Sequence, residues 1–99
     1  MEIALPAEVD AVLAWAVREG TTNVIRHSGA SHCLIRVAAD AGQAAVVIED
    51  DGRAAGSTRN GNGLSGLRER AHRLRGELEA GAKAEGGFRL QVSVPLTGT

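Results

Sequence analysis

A chain of 99 residues, 43% of them apolar, can build one hydrophobic core but not two. Its net charge of −1 and its two aromatic side chains, Trp15 and Phe88, argue against a nucleic-acid or anionic-membrane partner, which would call for basic surface or stacking platforms. No apolar run approaches the ~20 residues of a membrane span, no signal-peptide pattern follows Met1, and the single Cys33 forms no internal disulfide, so a reducing cytoplasm is the expected home.

Pro6 followed by Ala7 and Glu8 reads as a helix start, with proline tolerated in the first turn and an acid beside the positive end of the dipole. The helix is predicted to run to Arg26 or His27, with an apolar stripe of Val9, Val12, Leu13, Ala16, Gly20 and Val24. Asn23 falls inside that stripe and Glu19 on its edge. An amide buried without a partner costs ~1–3 kcal/mol, so Asn23 needs either local backbone or a ligand to bond. Glu19 lies one turn earlier on the same surface. Carboxylate and amide together are hard oxygen donors suited to Mg²⁺ and its waters.

Ser28 to Ser31 break the helix. The stretch Cys33–Ala38 then alternates as a strand, with Cys33, Ile35 and Val37 expected inward, Arg36 outward, and Cys33 a core filler rather than a nucleophile. Asp40-Ala41-Gly42-Gln43 is a hairpin turn, and Ala44–Asp51 the return strand. Parity places Val46, Ile48 and Asp50 on the core face, and Glu49 and Asp51 on the other. Two readings of Asp50 stand side by side: an acid capping the turn before Gly52, or an inward carboxylate accepting a hydrogen bond from an amino group such as that of adenine.

Arg53–Asn60 reads as a loop. Gly61-Asn62-Gly63-Leu64-Ser65-Gly66-Leu67 follows and opens a helix predicted over Leu64–Arg75. Its glycines let backbone approach a ligand closely, and the helix behind them offers free N–H groups and a positive dipole end to a phosphate. One such pattern is weak, and the dinucleotide reading of it requires a strand running straight into the glycines, whereas here the Gly52–Gly61 loop intervenes. Leu64, Leu67, Ala71 and Leu74 form the buried side of this helix. Arg68, Arg70, Arg73 and Arg75, with Glu69 among them, form a solvated face from which one arginine near the helix start could reach a phosphate. Gly76 is the expected C′ cap, Glu77–Ala80 a short strand, and Gly81–Gly87 a turn. The final strand has Phe88, Leu90, Val92, Val94 and Leu96 inward, Arg89, Gln91 and Ser93 outward, and Pro95 at what is expected to be the end of an edge strand. His32 and His72 are expected on the surface. The order helix, hairpin, loop, helix, hairpin predicts an α+β two-layer sandwich over residues 1–99, its mixed and mostly antiparallel sheet covered on one face by both helices, with a ligand between them.

Three ordered stretches carry a family resemblance. Glu19-Gly20-Thr21-Thr22-Asn23-Val24-Ile25-Arg26-His27-Ser28 resembles the N box of the ATP-binding domain of bacterial two-component sensor histidine kinases. Asp50-Asp51-Gly52-Arg53-Ala54 resembles their first glycine box, Gly61 through Arg70 their second, and Gly86-Gly87-Phe88-Arg89-Leu90 through Pro95-Leu96 their closing strand. The likeness covers nearly the whole chain and is nearest to the short-lid subgroup paired with helix-turn-helix response regulators. It implies the histidine-kinase-type ATPase fold of the GHKL superfamily, shared with gyrase and mismatch-repair ATPases, with ATP and Mg²⁺ as ligands.

The resemblance also implies roles. Asn23 would hold Mg²⁺ bridging the ATP phosphates, with Glu19 as an acidic polariser or base near the γ-phosphate and a second candidate metal ligand. Asp50 would bond the adenine amine, with Gly52 giving the ring room. Gly61, Asn62, Gly63, Leu64, Gly66 and Leu67 form the phosphate-side stretch, its glycines presenting backbone N–H groups. Arg26 and His27 match the basic end of the N box; His27 also falls inward on the helix wheel, where packing is an equal reading. Two departures stand out: Ala54 for the second glycine of the first box, which would crowd the nucleotide or merely fix the lid hinge, and Phe88 where many relatives carry a threonine near the adenine, which removes a hydroxyl contact; either could weaken nucleotide binding and neither would abolish it by itself.

The family's phosphoacceptor helix is absent, so the chain is expected to be an excised catalytic domain with an artificial Met1, monomeric by itself. Its partners would be its own dimerisation and phosphoacceptor domain and, indirectly, a response regulator, with no nucleic acid and no membrane contact by this domain. Its place would be the cytoplasm, or the cytoplasmic part of a membrane-anchored kinase. An anti-sigma-factor type serine kinase of the same fold and a degenerate, nucleotide-free interaction module are the alternatives.

Overall fold

The structure, a computed structural model, describes residues 6–23, 32–40, 42–52, 62–84 and 86–96. They form α1 (Ala7–Asn23), β1 (Cys33–Ala39), β2 (Gln43–Asp50), α2 (Asn62–Arg73), β3 (Glu77–Ala82) and β4 (Phe88–Pro95). The expected continuation of the first helix to Arg26 or His27 lies outside the described residues. No helix among the described residues is long and apolar enough to cross a membrane.

The first turn of α1 begins as its sequence suggests. Asp10 N–H donates to the Pro6 carbonyl at 2.9 Å, and Glu8 and Asp10 stand against the positive end of the helix dipole. Val9, Val12, Leu13 and Ala16 are buried. Gly20 continues that stripe where no side chain fits, since a Cβ there would sit 3.1 Å from the Ile48 side chain. The missing Cβ is what lets the last turns of α1 lie directly on β2.

The sheet order is β1-β2-β4-β3, with all three pairings antiparallel. Both helices lie on one face, α1 against β2 and β4 and α2 against β3 and β4. The two-layer arrangement is therefore as expected, and the sheet is wholly antiparallel among the described strands. Between the layers Val46, Ile48, Leu67, Leu90, Val92 and Val94 are almost fully buried.

Three expectations fail. Cys33, Ile35 and Val37 do share the helix-side face with Val46 and Ile48, through the pairs Ile35↔Ile48 and Val37↔Val46. They are nevertheless exposed, Ile35 to 43% and Val37 to 60%, and Cys33 is an exposed thiol. The helices shelter β2, β4 and β3, while β1 lies at the flank of the sheet beyond them. Alternation gives the face a residue shares; whether anything covers that face is a matter of tertiary packing. Val37→Thr is accordingly expected to shift unfolding free energy by less than ~0.5 kcal/mol, and Val92→Ala to cost ~2 kcal/mol or more, in urea unfolding followed by circular dichroism.

Pro95 is the second correction. It closes β4, which is an interior strand, so it does not end an edge strand. It is tolerated because β3 reaches only as far as Glu77↔Ser93, leaving no neighbour on that side to miss its N–H.

Helix α2 spans Asn62–Arg73 rather than the expected Leu64–Arg75, and its C′ residue comes one position earlier than expected. Arg75, at φ 65°, takes the left-handed C′ position assigned to Gly76. Gly76 N–H donates to the Ala71 carbonyl at 2.8 Å and Arg75 N–H to the His72 carbonyl at 2.9 Å, the paired bonds of a Schellman motif. Gly76 is needed for space instead, because its Cβ would fall 2.2 Å from the Ser93 carbonyl oxygen. At the β1–β2 turn the Asp40 carboxylate accepts N–H bonds from Gly42 at 2.8 Å and Gln43 at 2.9 Å, and these donors hold its carboxyl below the usual carboxylate range.

Candidate functional site

Strand parity delivers the two neighbouring acids of β2 to opposite environments. Asp50 is only 4% exposed, on the helix side, at the last position of the strand. Its Oδ1 accepts the Gly52 N–H at 2.8 Å, so the turn-capping reading of this acid is realised. The ligand reading is compatible with it, since a carboxylate has acceptor sites for several donors. Glu49 points out of the opposite face, where Arg89 Nε lies 3.4 Å and Lys83 Nζ 4.0 Å from its carboxylate oxygens. Asp51, exposed, turns towards the start of β1. Its carboxylate accepts the His32 backbone N–H at 3.0 Å and lies 3.1 Å from His32 Nδ1.

Asp50 is flanked in register by Cys33 on β1 and Phe88 on β4. Phe88 is buried, with 4% exposure. Desolvation, and after it the negative charge of Asp50, push the Cys33 thiol above its usual pKa. Cys33 is thus neither the core filler expected nor an activated nucleophile.

The helix directions decide what meets Asp50. The start of α1, with Pro6 and Val9, shares a recess of about 260 Å³ with Leu74, Arg75 and Val94–Leu96. Val94 pairs with Ala44 near the beginning of β2. Further along α1, Gly20 meets Ile48 near the end of β2. Hence α1 runs along β2 in the same sense, and its last turn arrives at the Asp50 end of the sandwich. The C-terminal end of α2 borders that same recess near Val94, so α2 runs the other way and its first turn also faces the Asp50 end. Glu19 and Asn23, Asp50 to Gly52, the start of α2 and Phe88 therefore gather at one end of the fold, although they are widely spaced in the chain.

The electrostatics of that end suit an anion. The first turn of α2 carries no acidic residue, so no acid of that turn compensates the positive end of its dipole. Glu19 is half-buried. Among the described residues no group of three or more His, Cys, Asp and Glu side chains is arranged to hold a metal ion. Carboxylate and amide donors from α1 fit an ion that, like Mg²⁺, takes one or two protein ligands and draws the rest from phosphates and water.

Individual predicted residues fare differently. Leu64 and Leu67 are core side chains, 4% and 0% exposed, so their side chains are taken up by packing. Gly66 lies against Trp15, whose ring carbons come within 3.3 Å of where a Cβ would stand, so a side chain there would press on the α1–α2 contact. Arg70 covers the same indole, 5.9 Å from its centroid. Asn23, Asn62 and Gly63 are placed as helix positions, their side-chain positions lying outside the described set. Arg26, His27, Ala54 and Gly61 lie outside the described residues. His32 and His72 are exposed as expected. The sequence reading passed over Gly87 beside Asp50; the Gly86-Gly87 pair before a strand was the local sign of it.

No family model matches the chain. It is 36% identical over 94 residues to the sensor histidine kinase YxjM of Bacillus subtilis, covering 95% of this chain and 23% of that protein. To the sensor histidine kinase YvfT of the same organism it is 35% identical over 86 residues, 86% of this chain and 23% of that protein. The chain therefore spans 23% of the length of these two curated relatives. In structure it is similar to the histidine kinase domain of the Erythrobacter litoralis EL346 blue-light activated histidine kinase, with a TM-score of 0.76 and 24% identity over 98% of this chain and 49% of that one. It is also similar to the ATP-binding domain of PrrB from Mycobacterium tuberculosis, with a TM-score of 0.66 and 22% identity over 86% of this chain and 67% of that one. At these identities the solved structures speak for the fold.

Proposed function

The chain belongs to the sensor histidine kinase family as an ATP-binding domain, and from that premise we propose that it binds ATP with Mg²⁺ and supplies the γ-phosphoryl group to a histidine on an adjoining dimerisation domain. The observation that carries this is the convergence at one end of the sandwich of buried Asp50, the acid-free first turn of α2 and the last turn of α1. An amino-bearing base, a polyphosphate and a divalent cation need those three chemistries together.

In this reading Asp50 accepts the adenine amino group, and Gly52, itself buried, leaves room for the ring. The glycine stretch that contains Gly61, Gly63 and Gly66 would present backbone N–H groups to the phosphates. Asn23 and Glu19 would hold Mg²⁺, whose contribution when bound would be to neutralise phosphate charge. Glu19 would orient the attacking imidazole or accept its proton. The protein's part is to position groups and neutralise charge, the usual division of work in phosphoryl transfer. The named relatives are sensor histidine kinases, which supports histidine over serine as the acceptor. Transfer then takes place in the cytoplasm, with a response regulator downstream.

Calorimetric titration of the domain with ADP and a non-hydrolysable ATP analogue, with and without Mg²⁺, tests the proposal. Wild type is expected to bind adenine nucleotides in preference to guanine ones, with Mg²⁺ strengthening the ATP analogue. In Asn23→Ala that strengthening is expected to disappear. A folded wild type giving no heat at millimolar nucleotide overturns the proposal and brings forward the nucleotide-free interaction module, for which Ala54 and Phe88 are the sequence support.

A further inference from the structure

The turn that leaves Asp50 is gripped from both sides. On one side, the start of β1 holds Asp51: His32 gives its backbone N–H and lays its ring against the Asp51 carboxylate, while Asp51 N–H points at the His32 carbonyl at 3.4 Å. On the other side stands Gly87, the residue before β4. A Cβ on Gly87 would fall 1.9 Å from the Asp50 carbonyl oxygen, 2.9 Å from its carbonyl carbon and 3.2 Å from Asp51 Cα. Backbone therefore lies on backbone there, with no room for a side chain.

The neighbouring glycine supplies the contrast. Gly86 and Gly87 both adopt left-handed backbone, at φ 103° and 97°, and an added side chain is strained at either. Around Gly86, however, an added Cβ meets nothing within 4 Å. The shape of the turn, closed by Lys83 N–H to the Gly87 carbonyl at 2.9 Å and Gly86 N–H to the Lys83 carbonyl at 3.1 Å, accounts for the conformation of both. It does not account for the contact with Asp50, which belongs to Gly87 alone. That contact fixes the carbonyl from which the chain turns through Asp51 into Gly52, whose N–H is bound to Asp50 Oδ1 at 2.8 Å.

We propose that Gly87 is a positioning residue for the nucleotide site: its bare backbone, opposed by the His32–Asp51 contact, sets where the Asp50 carboxylate and the Gly52 turn stand. The inference rests on the reading of Asp50 as the adenine acceptor. A side chain at 87 pushes the end of β2 away from β4 and moves the carboxylate, whereas one at 86 strains the turn and leaves the carboxylate in place. Small displacements of a positioned group cost binding steeply.

The test compares Gly87→Ala with Gly86→Ala in the same 99-residue chain. ADP and GDP affinities are measured by calorimetry, and exchange of the Gly52 amide by NMR without nucleotide. Gly87→Ala is expected to bind ADP about tenfold more weakly or worse and to lose much of its preference over GDP. Its Gly52 amide exchanges faster. Gly86→Ala keeps the preference and the protected amide, even if both variants melt lower by similar amounts. Equal preference for ADP and equal Gly52 protection in the two variants overturns the inference, because strain alone then explains position 87. If wild type binds no nucleotide, the function fails, and the Gly52 amide still decides whether Gly87 positions the turn. Should Gly87→Ala not fold, His32→Ala probes the same grip from the opposite side, at a side chain 86% exposed. It is expected to weaken ADP about twofold to fivefold and to speed Gly52 exchange; no change in either overturns the inference.

Discussion

Asp50→Asn is expected to weaken adenine-nucleotide binding about 100-fold, equivalent to ~3 kcal/mol at a charge-assisted hydrogen bond, while the domain stays folded. The substitution keeps the shape and keeps one oxygen, which can go on accepting the Gly52 N–H now bound at 2.8 Å. What it removes is charge and the second acceptor, replaced by an amide that donates. Facing an adenine amino group, a donor meets a donor. The acid is buried at the end of β2, so solvent does little to soften the mismatch. Calorimetric titration with ADP, beside a thermal melt of the same preparation, separates lost recognition from lost structure. Near-wild-type affinity in a folded variant would show that Asp50 serves only to cap its turn.

Gly76→Ala is expected to unfold the domain readily, by a steric clash alone and with no left-handed φ at position 76 itself to add strain. The new Cβ would stand 2.2 Å from the Ser93 carbonyl oxygen and 3.1 Å from Val94 Cα. Both are backbone of an interior strand, so no side-chain rotation relieves the overlap. The residue before it is already in the left-handed region, and its own N–H closes the helix on Ala71, so retreat in the other direction breaks the cap. Overpacking of this kind costs ~3 kcal/mol, which in a domain of this size lowers the melting temperature by roughly 15 °C. Gly81→Ala is the matched control, since a Cβ at Gly81 meets nothing within 4 Å. Melts of the two variants that coincide within about 3 °C would refute the space requirement at Gly76.

These two residues also mark how far the sequence could be read. The environments of Asp50 and Asp51 were legible because strand alternation has a period of two, and a single inward neighbour, Ile48, fixes the parity. The same rule at β1 gave the correct face and the wrong exposure, since nothing local to Ile35 or Val37 says that both helices lie over the other three strands. Gly76 was recognised as a helix-ending glycine, but its actual constraint is the Ser93 backbone, far along the chain. Pro95 was referred to an edge because strand order is not a local property. At the site, residue type and spacing suggested hard oxygen donors at Glu19 and Asn23 and two readings of Asp50, of which the turn cap is the one observed. That they meet at one end followed only from the opposed directions of α1 and α2, which Gly20, Gly66 and the recess at Val94 reveal.

The sheet order has a consequence for how the chain can acquire its structure. β4 follows every other element yet lies between β2 and β3, and it supplies Phe88, Leu90, Val92 and Val94 to the interior. As the chain emerges from a ribosome, β1 and β2 can close their hairpin early, because that contact is local. Helix α2 and β3 have no sheet to join until residues 88–95 are synthesised and inserted between strands that were separate. Until then α1 has only β2 of the sheet to pack on, and the apolar face of α2 that meets β3 and β4 stays open to water and to chaperones. Nucleotide binding, if it depends on Asp50 being held against the start of β4, can begin only once residues 88–95 have been synthesised.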